Sequence, residues 1–219
     1  MIALLIILAE KRLLPDAIIR FGIKRLCRQR LAEATGPNEA AMEQEHAAWI
    51  DVLKESPIAL VPQKANEQHY EVPPRLFELI LGNKLKYSSG LWSEGVSSLD
   101  QSEVAMLKLT SQRAGLVDGQ DILELGCGWG SLTLYMAEHL PKSKITAVSN
   151  SNDQRHFIEA RCEERNLKNV EIITADMNDF ETTKLFDRVV SIEMFEHMRN
   201  YEKLLGKVKA WLKNDGKLF

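Results

Sequence analysis

The sequence predicts an α/β fold in which a doubly wound, mainly parallel sheet follows an N-terminal helical region. From Gly119 onward, apolar runs of strand length alternate with helical patterns. These runs are continuously apolar, as in strands that are covered on both faces of a parallel sheet. A glycine-rich turn at 126–130 joins the first run to the first helix, and ligands bind at such turns, at the carboxyl edge of the sheet.

Residues 1–102 are predicted to form a helical cap that covers the substrate, and residues 103–219 to form the ligand-binding domain. The apolar run at 2–9 is far too short to span a bilayer. Basic residues do not precede it, and no small-residue cleavage site follows it. We interpret the run as the start of a helix that packs into the core, with an interfacial anchor as the alternative.

A second helix is expected from Asp16, because Pro15 followed by an acidic residue is typical of a helix start. Its arginines and lysines lie largely opposite an apolar face. A basic amphipathic helix can lie on an anionic membrane surface, but such charges more often form a solvated face. Further helices are expected at 39–55, 75–81 and 98–114.

The elements after residue 120 alternate in the order strand 121–125, helix 130–140, strand 144–148, helix 152–165, strand 170–174, strand 186–192 and helix 201–213. Residues 216–219 begin a fifth strand, in which the chain stops. A sheet that ended there would expose an edge. We therefore expect this chain to be a fragment of a longer protein, with the ligand-binding domain incomplete.

Composition excludes some classes of function. The 219 residues carry a net charge of −3, which argues against nucleic acid as a bulk electrostatic partner. The three cysteines are widely spaced, so reduced thiols in a cytoplasmic protein are expected. The five histidines do not pair at metal-ligand spacing, and no metal is predicted.

The glycine turn favours one class of ligand. Gly126, Gly128 and Gly130 form a G-x-G-x-G pattern, and Ser131 stands where a dinucleotide fingerprint requires its third glycine. Glu124 lies two residues before the first glycine, where a carboxylate attracts an ammonium group and repels phosphates. The turn therefore favours S-adenosylmethionine over NAD, with an NAD-dependent oxidoreductase and a ligand-free turn as the alternatives.

Several motifs in order carry a family resemblance. The chain resembles class I S-adenosylmethionine-dependent methyltransferases, and within them the group that contains cyclopropane-fatty-acid synthases and coclaurine-type N-methyltransferases. The resemblance runs from about His69 to Phe219 and implies a Rossmann-like domain. Its motifs are His69-Tyr70, Tyr87-Ser88-Ser89, Glu124-Leu-Gly-Cys-Gly-Trp-Gly130, Ser149-Asn150-Ser151 with Gln154, and Ser191-Ile-Glu-Met-Phe-Glu-His-Met198.

The resemblance implies S-adenosylmethionine as the cofactor and S-adenosylhomocysteine as its product. By this resemblance, the amino-acid end of the cofactor lies against Tyr87 and Ser88, and its backbone against Gly126, Gly128 and Gly130. The ribose lies against Ser149, Asn150 and Gln154, and the adenine against Asp176 and Met177. Glu124 adds the carboxylate for the cationic end. The alternatives are a helix cap at 149–151 and a polar turn at 176–178.

Glu193, Glu196 and His197 form the predicted catalytic cluster. They follow the predicted strand 186–192, at the carboxyl edge of the sheet. Methyl transfer is an in-line displacement from a sulfonium, for which positioning supplies much of the acceleration. The cluster is predicted to act as the base that removes a proton from the acceptor, because an ammonium must become neutral before it can attack. The alternative is that His197 caps a turn and Glu193 is solvated.

Two departures from the synthase pattern bear on the acceptor. Cyclopropane synthases usually carry a glycine where Glu193 stands, and a cysteine where Ser89 stands. We therefore expect methyl transfer to a small amine. Methylene addition to the unsaturated acyl chain of a lipid is the alternative within enzymes, and a non-catalytic module that binds S-adenosylmethionine is the alternative outside them.

Overall fold

The computed structural model describes residues 2–36, 38–60 and 73–219. The His69-Tyr70 motif lies outside these residues. The chain forms two compact units, Met1–Val52 and Leu53–Phe219. The predicted boundary between residues 102 and 103 falls inside a helix of the second unit, Leu99–Arg113.

The three predicted helices of the N-terminal region are present as α1 (Ile2–Glu10), α2 (Asp16–Thr35) and α3 (Glu39–Glu55). The interpretation of the first as a core-packing helix is wrong for the described side chains, because Leu5, Ile6 and Ile7 are about half exposed. Apolar residues of α2 are exposed as well, including Phe21. Within the described parts of the chain, no helix is long and apolar enough to cross a membrane.

The second unit contains, in order, α4 (Pro74–Ile80), α5 (Leu99–Arg113), β1 (Asp121–Leu125), α6 (Ser131–His139), β2 (Lys144–Ser149), α7 (Asn152–Glu164), β3 (Val170–Thr174), β4 (Phe186–Ser191), α8 (Tyr201–Trp211) and β5 (Leu212–Leu218). All four strand pairings are parallel, in the order β3-β2-β1-β4-β5. The predicted doubly wound sheet is confirmed. Its order reverses between β1 and β4, which is where ligands bind in such folds.

Alternate residues of β1 face opposite sides of the sheet, as the two-residue period of a strand requires. Leu123 and Leu125 pack in one core with residues of α8 such as Leu204 and Val208. Ile122 packs in a second core with residues of α5 and α6. A third cluster joins β2 and β3 to α7. Helices on both faces explain why the strands are apolar throughout.

One predicted boundary differs by a few residues. Helix α8 ends at Trp211 and β5 starts at Leu212, whereas the sequence predicted a helix to 213 and a strand from 216. Leu212 already has extended backbone angles, φ −83° and ψ 139°. Neither glycine nor proline marks this transition, which the pairing of Phe186 with Leu212 sets instead.

Candidate active site

The glycine turn lies at the carboxyl end of β1. Gly126, Gly128 and Gly130 have φ values of +79°, +53° and +81°, in the left-handed region that strongly favours glycine. A Cβ on Gly126 would lie 2.8 Å from the Cβ of Met194. A Cβ on Gly128 would meet no atom of the described residues within 4 Å. The first glycine therefore allows the segment after β4 to approach, and the second faces open space.

Replacement of Gly126 by alanine is expected to lower the free energy of unfolding by about 2 kcal/mol, from left-handed strain and overlap with Met194. Chemical denaturation measures the change. Gly206→Ala in α8 is the matched control, because its Cβ would meet no described atom within 4 Å and alanine favours helix by about 0.5–1 kcal/mol. Equal midpoints for wild type and Gly126→Ala would contradict the expectation.

One pocket brings together residues from four parts of the second unit. Six of the predicted site residues line it: Tyr87, Ser88, Glu124, Gly126, Gly128 and Glu193. Sequence reasoning missed other residues of this lining, among them Lys86, Thr110, Trp129 and Ile192. Lys86 stands directly before the Tyr87-Ser88 motif, so its position in the sequence was the available signal. Thr110 reaches the pocket only because α5 packs beside β1, which no local pattern shows.

Glu124 lines the pocket and is buried, with 4% of its surface exposed. The Thr133 hydroxyl donates a hydrogen bond of 2.5 Å to Glu124 Oε2. Burial raises the pKa of the Glu124 carboxyl to about 8, and the Thr133 hydrogen bond opposes this shift. A cationic ligand in the pocket would stabilise the ionised carboxylate, as predicted from its position before the glycines.

The loop that carries Tyr87 and Ser88 is held by a buried carboxylate of α5. Glu103 is 1% exposed. It accepts hydrogen bonds from the backbone N–H groups of Gly82, Lys84 and Lys86, at 3.0, 2.9 and 3.2 Å. This arrangement fixes the backbone on both sides of Leu85 and thereby positions the pocket wall.

The residues predicted at the ribose do not line the pocket, but they lie at the same sheet edge. The Ser149 hydroxyl donates a 2.6 Å hydrogen bond to Gln154 Oε1, and both side chains are buried. Ser151 caps α7 by accepting from the Gln154 N–H. The cap alternative is therefore present in the structure. Asn150 lies between these two contacts in the chain.

The residues predicted at the adenine follow β3 at this edge. Asp176 Oδ1 accepts a 2.8 Å hydrogen bond from the Asn178 N–H, so the polar-turn alternative is also present. Met177 is 6% exposed and belongs to the core that contains α8. Ser149 pairs with Thr174 in the register of β2 and β3. The residues predicted at the ribose and those predicted at the adenine therefore lie at the ends of adjacent strands.

The predicted catalytic residues are distributed over a short turn after β4. Glu193 lines the pocket and has φ +58°. Glu196 and His197 lie on a short 3₁₀ helix, Phe195–His197, with exposed side chains, and neither lines the pocket. The structure thus separates Glu193, which faces the pocket, from the other two predicted residues.

The pocket contains two polar atoms that suit a polar ligand. Trp129 Nε1 and Ser131 Oγ are buried, and neither has a hydrogen-bond partner among the described residues. Both residues line the pocket. Buried polar groups are normally hydrogen-bonded. Together with the open space at Gly128 and the buried Glu124, these atoms fit a cofactor that carries polar groups and a positive charge.

No group of three or more histidine, cysteine, aspartate or glutamate residues that could hold a metal ion is present in the described ranges. Cys127 and Cys162 are free and buried, and Cys27 is free and exposed. Burial raises the pKa of the Cys127 thiol well above its usual value. The cysteine of the glycine turn is therefore a core residue.

Comparison with known proteins places this site in a family context. The family model of mycolic acid cyclopropane synthetases matches residues 61–219. An (S)-coclaurine N-methyltransferase of Thalictrum flavum subsp. glaucum is 38% identical over 213 residues, which are 96% of this chain and 58% of the relative. A cyclopropane-fatty-acyl-phospholipid synthase of Escherichia coli (strain K12) is 33% identical over 152 residues, 68% of this chain and 38% of the relative.

The similar solved structures also include an N-methyltransferase and a cyclopropane synthase. The crystal structure of a coclaurine N-methyltransferase bound to N-methylheliamine and S-adenosylhomocysteine has a TM-score of 0.87 at 37% identity, covering 99% of this chain and 62% of the other. A mycolic acid cyclopropane synthase with S-adenosylhomocysteine has a TM-score of 0.64 at 26% identity, covering 73% and 56%. The chain spans less than two thirds of the length of each of these proteins.

Proposed function

Since the chain belongs to the mycolic acid cyclopropane synthetase family, we propose that it is an S-adenosylmethionine-dependent methyltransferase whose acceptor is a small amine. The observation that carries the proposal is the buried carboxylate of Glu124 in the glycine-turn pocket, with Glu193 on the wall of the same pocket. The first suits a cationic cofactor, and the second suits an acceptor that must lose a proton. The coclaurine N-methyltransferase relatives support an amine as that acceptor.

Residues of the glycine turn and of the 87–88 loop would hold the cofactor, which supplies an electrophilic methyl group on a sulfonium. In this proposal Tyr87, Ser88 and Glu124 bind its amino-acid end. Gly126, Gly128 and Gly130 allow its close approach to the backbone. Ser149, Asn150 and Gln154 would meet the ribose, and Asp176 and Met177 the adenine. The hydrogen bond from Ser149 to Gln154 already orients these two side chains, which are proposed to meet the ribose.

Glu193 is proposed as the general base. Its carboxylate would accept the proton of the acceptor ammonium, so that the nitrogen has a free lone pair for the methyl group that the cofactor would supply. The proton then passes to solvent, to which the Glu193 side chain is exposed. Glu196 and His197, on the following turn, are proposed to complete the catalytic cluster at the acceptor. Residues 1–102 are proposed to form the cap over the acceptor, in a cytoplasmic enzyme with reduced thiols.

A second candidate function is methylene addition to an unsaturated acyl chain, favoured by the synthase relative. Ser89, where the synthases usually carry a cysteine, is exposed in the structure. Glu193 occupies the position where the synthases usually carry glycine. Both features favour the amine.

The purified protein with S-adenosylmethionine tests the proposal. One set of reactions contains primary and secondary amines, including coclaurine, and the other contains vesicles of phospholipids with unsaturated chains. The expected result is an amine that gains one CH₂ unit by mass spectrometry, with unchanged lipids. Cyclopropane-containing lipids would establish the second function instead. Binding of S-adenosylhomocysteine without methyl transfer to any acceptor would indicate a non-catalytic binding module. Binding of NAD alone would show that S-adenosylmethionine is not the cofactor.

A further inference from the structure

The pocket contains a buried positive group as well as the buried Glu124. Lys86 is 7% exposed, and its side chain lines the same pocket. Lysine is almost never buried unless its charge is paired. The presence of Lys86 in this pocket therefore needs an explanation, which the proposed function does not supply.

The Lys86 ammonium has one hydrogen-bond partner among the residues that the structure describes. Its Nζ donates to Ser88 Oγ. No carboxylate oxygen of the described residues lies within 4.0 Å of Lys86 Nζ, which is the limit for an ion pair. An ammonium has three donors, so two remain without an acceptor in the described parts of the chain. A buried charge in this condition is costly unless a ligand pairs with it.

Two carboxylates lie near Lys86 without forming an ion pair with it among the described residues. The Glu103 carboxylate accepts three backbone N–H groups of the loop. Glu193 is exposed to solvent and lies on the turn after β4. Burial lowers the pKa of Lys86, and the charges of Glu193 and Glu103 oppose this shift only in part. Neither Glu103 nor Glu193 is in direct contact with the Lys86 ammonium as its counter-ion.

Glu124 is the buried acidic group of the same pocket. It is buried, accepts one hydrogen bond from Thr133, and has no cation within ion-pair distance among the described residues. A pocket with a buried ammonium that lacks a counter-ion and a buried carboxyl that a bound cation would ionise is complementary to a zwitterion. The methionine end of S-adenosylmethionine is such a group, with an α-ammonium and an α-carboxylate.

We propose that Lys86 is the counter-ion of the cofactor's α-carboxylate, opposite Glu124, so that the pocket selects ligands that carry an intact amino-acid end. This inference rests on the proposed function. Ser88, which accepts from the Lys86 ammonium, orients that ammonium and shares the carboxylate. The role of the Tyr87-Ser88 loop is thereby extended to the lysine that precedes it, and Glu103 positions all three through the backbone.

Titration calorimetry with two thioether nucleosides tests the proposal. The first is S-adenosylhomocysteine, and the second is S-adenosyl-3-thiopropylamine, which keeps the ammonium and lacks the carboxylate. The wild-type protein is expected to prefer the first by about tenfold to hundredfold, the range for a charge-assisted hydrogen bond. In Lys86→Met the preference is expected to fall to within about threefold. Lys108→Met, an exposed lysine of α5, is the control and should keep the wild-type preference.

Folding of the variant is read separately by thermal unfolding without ligand. Lys86→Met removes an unpaired buried charge, so the empty variant should be at least as stable as wild type. If it does not fold, the same ratio is read on Lys86→Gln. A wild-type preference retained in the variants, or equal binding of both nucleosides to wild type, overturns the assignment of Lys86 and leaves the proposed function intact. Binding of neither nucleoside to wild type overturns both.

Discussion

Replacement of Glu193 by glycine is expected to make the protein more stable while it removes methyl transfer. Glu193 has φ +58°, a conformation that costs a residue with a Cβ about 1–2 kcal/mol. Glycine relieves this strain but loses more entropy on folding, by about 0.5–1 kcal/mol. The free energy of unfolding should therefore rise by about 0.5–1 kcal/mol.

The same substitution removes the proposed base. General bases contribute about 10²- to 10⁴-fold to rate, so turnover of the amine identified for wild type should fall within that range. Binding of S-adenosylhomocysteine should change by less than about threefold, because the proposed contact of Glu193 is with the acceptor. Denaturant unfolding, steady-state kinetics and calorimetry on the same preparation give the three values.

Two further variants separate strain from chemistry. Glu193→Gln keeps the strained backbone and lacks the base, so it should lose turnover without the gain in stability. Asn166→Gly relieves another positive φ, +53°, after helix α7, and should leave turnover unchanged. A loss of turnover below about tenfold in Glu193→Gly would remove Glu193 from the base role, and Glu196 and His197 would then be the candidates.

The strained backbone at Glu193 shows what a single sequence does not contain. The strand before it and the glycine turn were predicted correctly, because period, apolar runs and glycine spacing are local signals. Glu193 has a left-handed φ and precedes Met194, which packs against Gly126, 68 residues earlier in the chain. Only the structure therefore shows that a glutamate is kept where glycine would be less strained.

Lys86 and Glu103 illustrate the same limit. A lysine before a tyrosine and a glutamate inside an amphipathic helix are ordinary surface residues by pattern. Their burial follows from the docking of the 82–88 loop on α5. The apolar run of α1 gave the opposite error, because apolar composition predicted burial whereas Leu5, Ile6 and Ile7 are about half exposed.

Glu124 is expected to make stability depend strongly on pH. The pKa of its carboxyl is about 8 in the folded protein, whereas the ordinary value, expected in the unfolded chain, is 4.5. Between these values the folded state binds more protons than the unfolded state, so stability falls as pH rises. The free energy of unfolding should fall by up to about 1.4 kcal/mol per pH unit. The total loss should be about 3–5 kcal/mol once the pH exceeds 8.

Glu124→Gln is expected to abolish this component, because an amide does not titrate. The variant can still accept the hydrogen bond from Thr133, and denaturant unfolding from pH 5 to 8.5 should show a flatter profile than wild type. Glu94→Gln, in an exposed loop, is the control and should keep the wild-type slope. Parallel profiles for wild type and Glu124→Gln would show that Glu124 is ionised in the empty pocket.

Ligand binding should reverse the protonation of Glu124. A bound ammonium favours the carboxylate, so binding of S-adenosylhomocysteine near pH 7 should release up to about one proton from this group. Calorimetry in two buffers of different ionisation enthalpy measures that release. In Glu124→Gln the release should disappear, and affinity should fall by about tenfold to hundredfold through loss of a charge-assisted contact. Proton release that persists in the variant would have to come from another group, and the pairing of Glu124 with the ligand's ammonium would then be wrong.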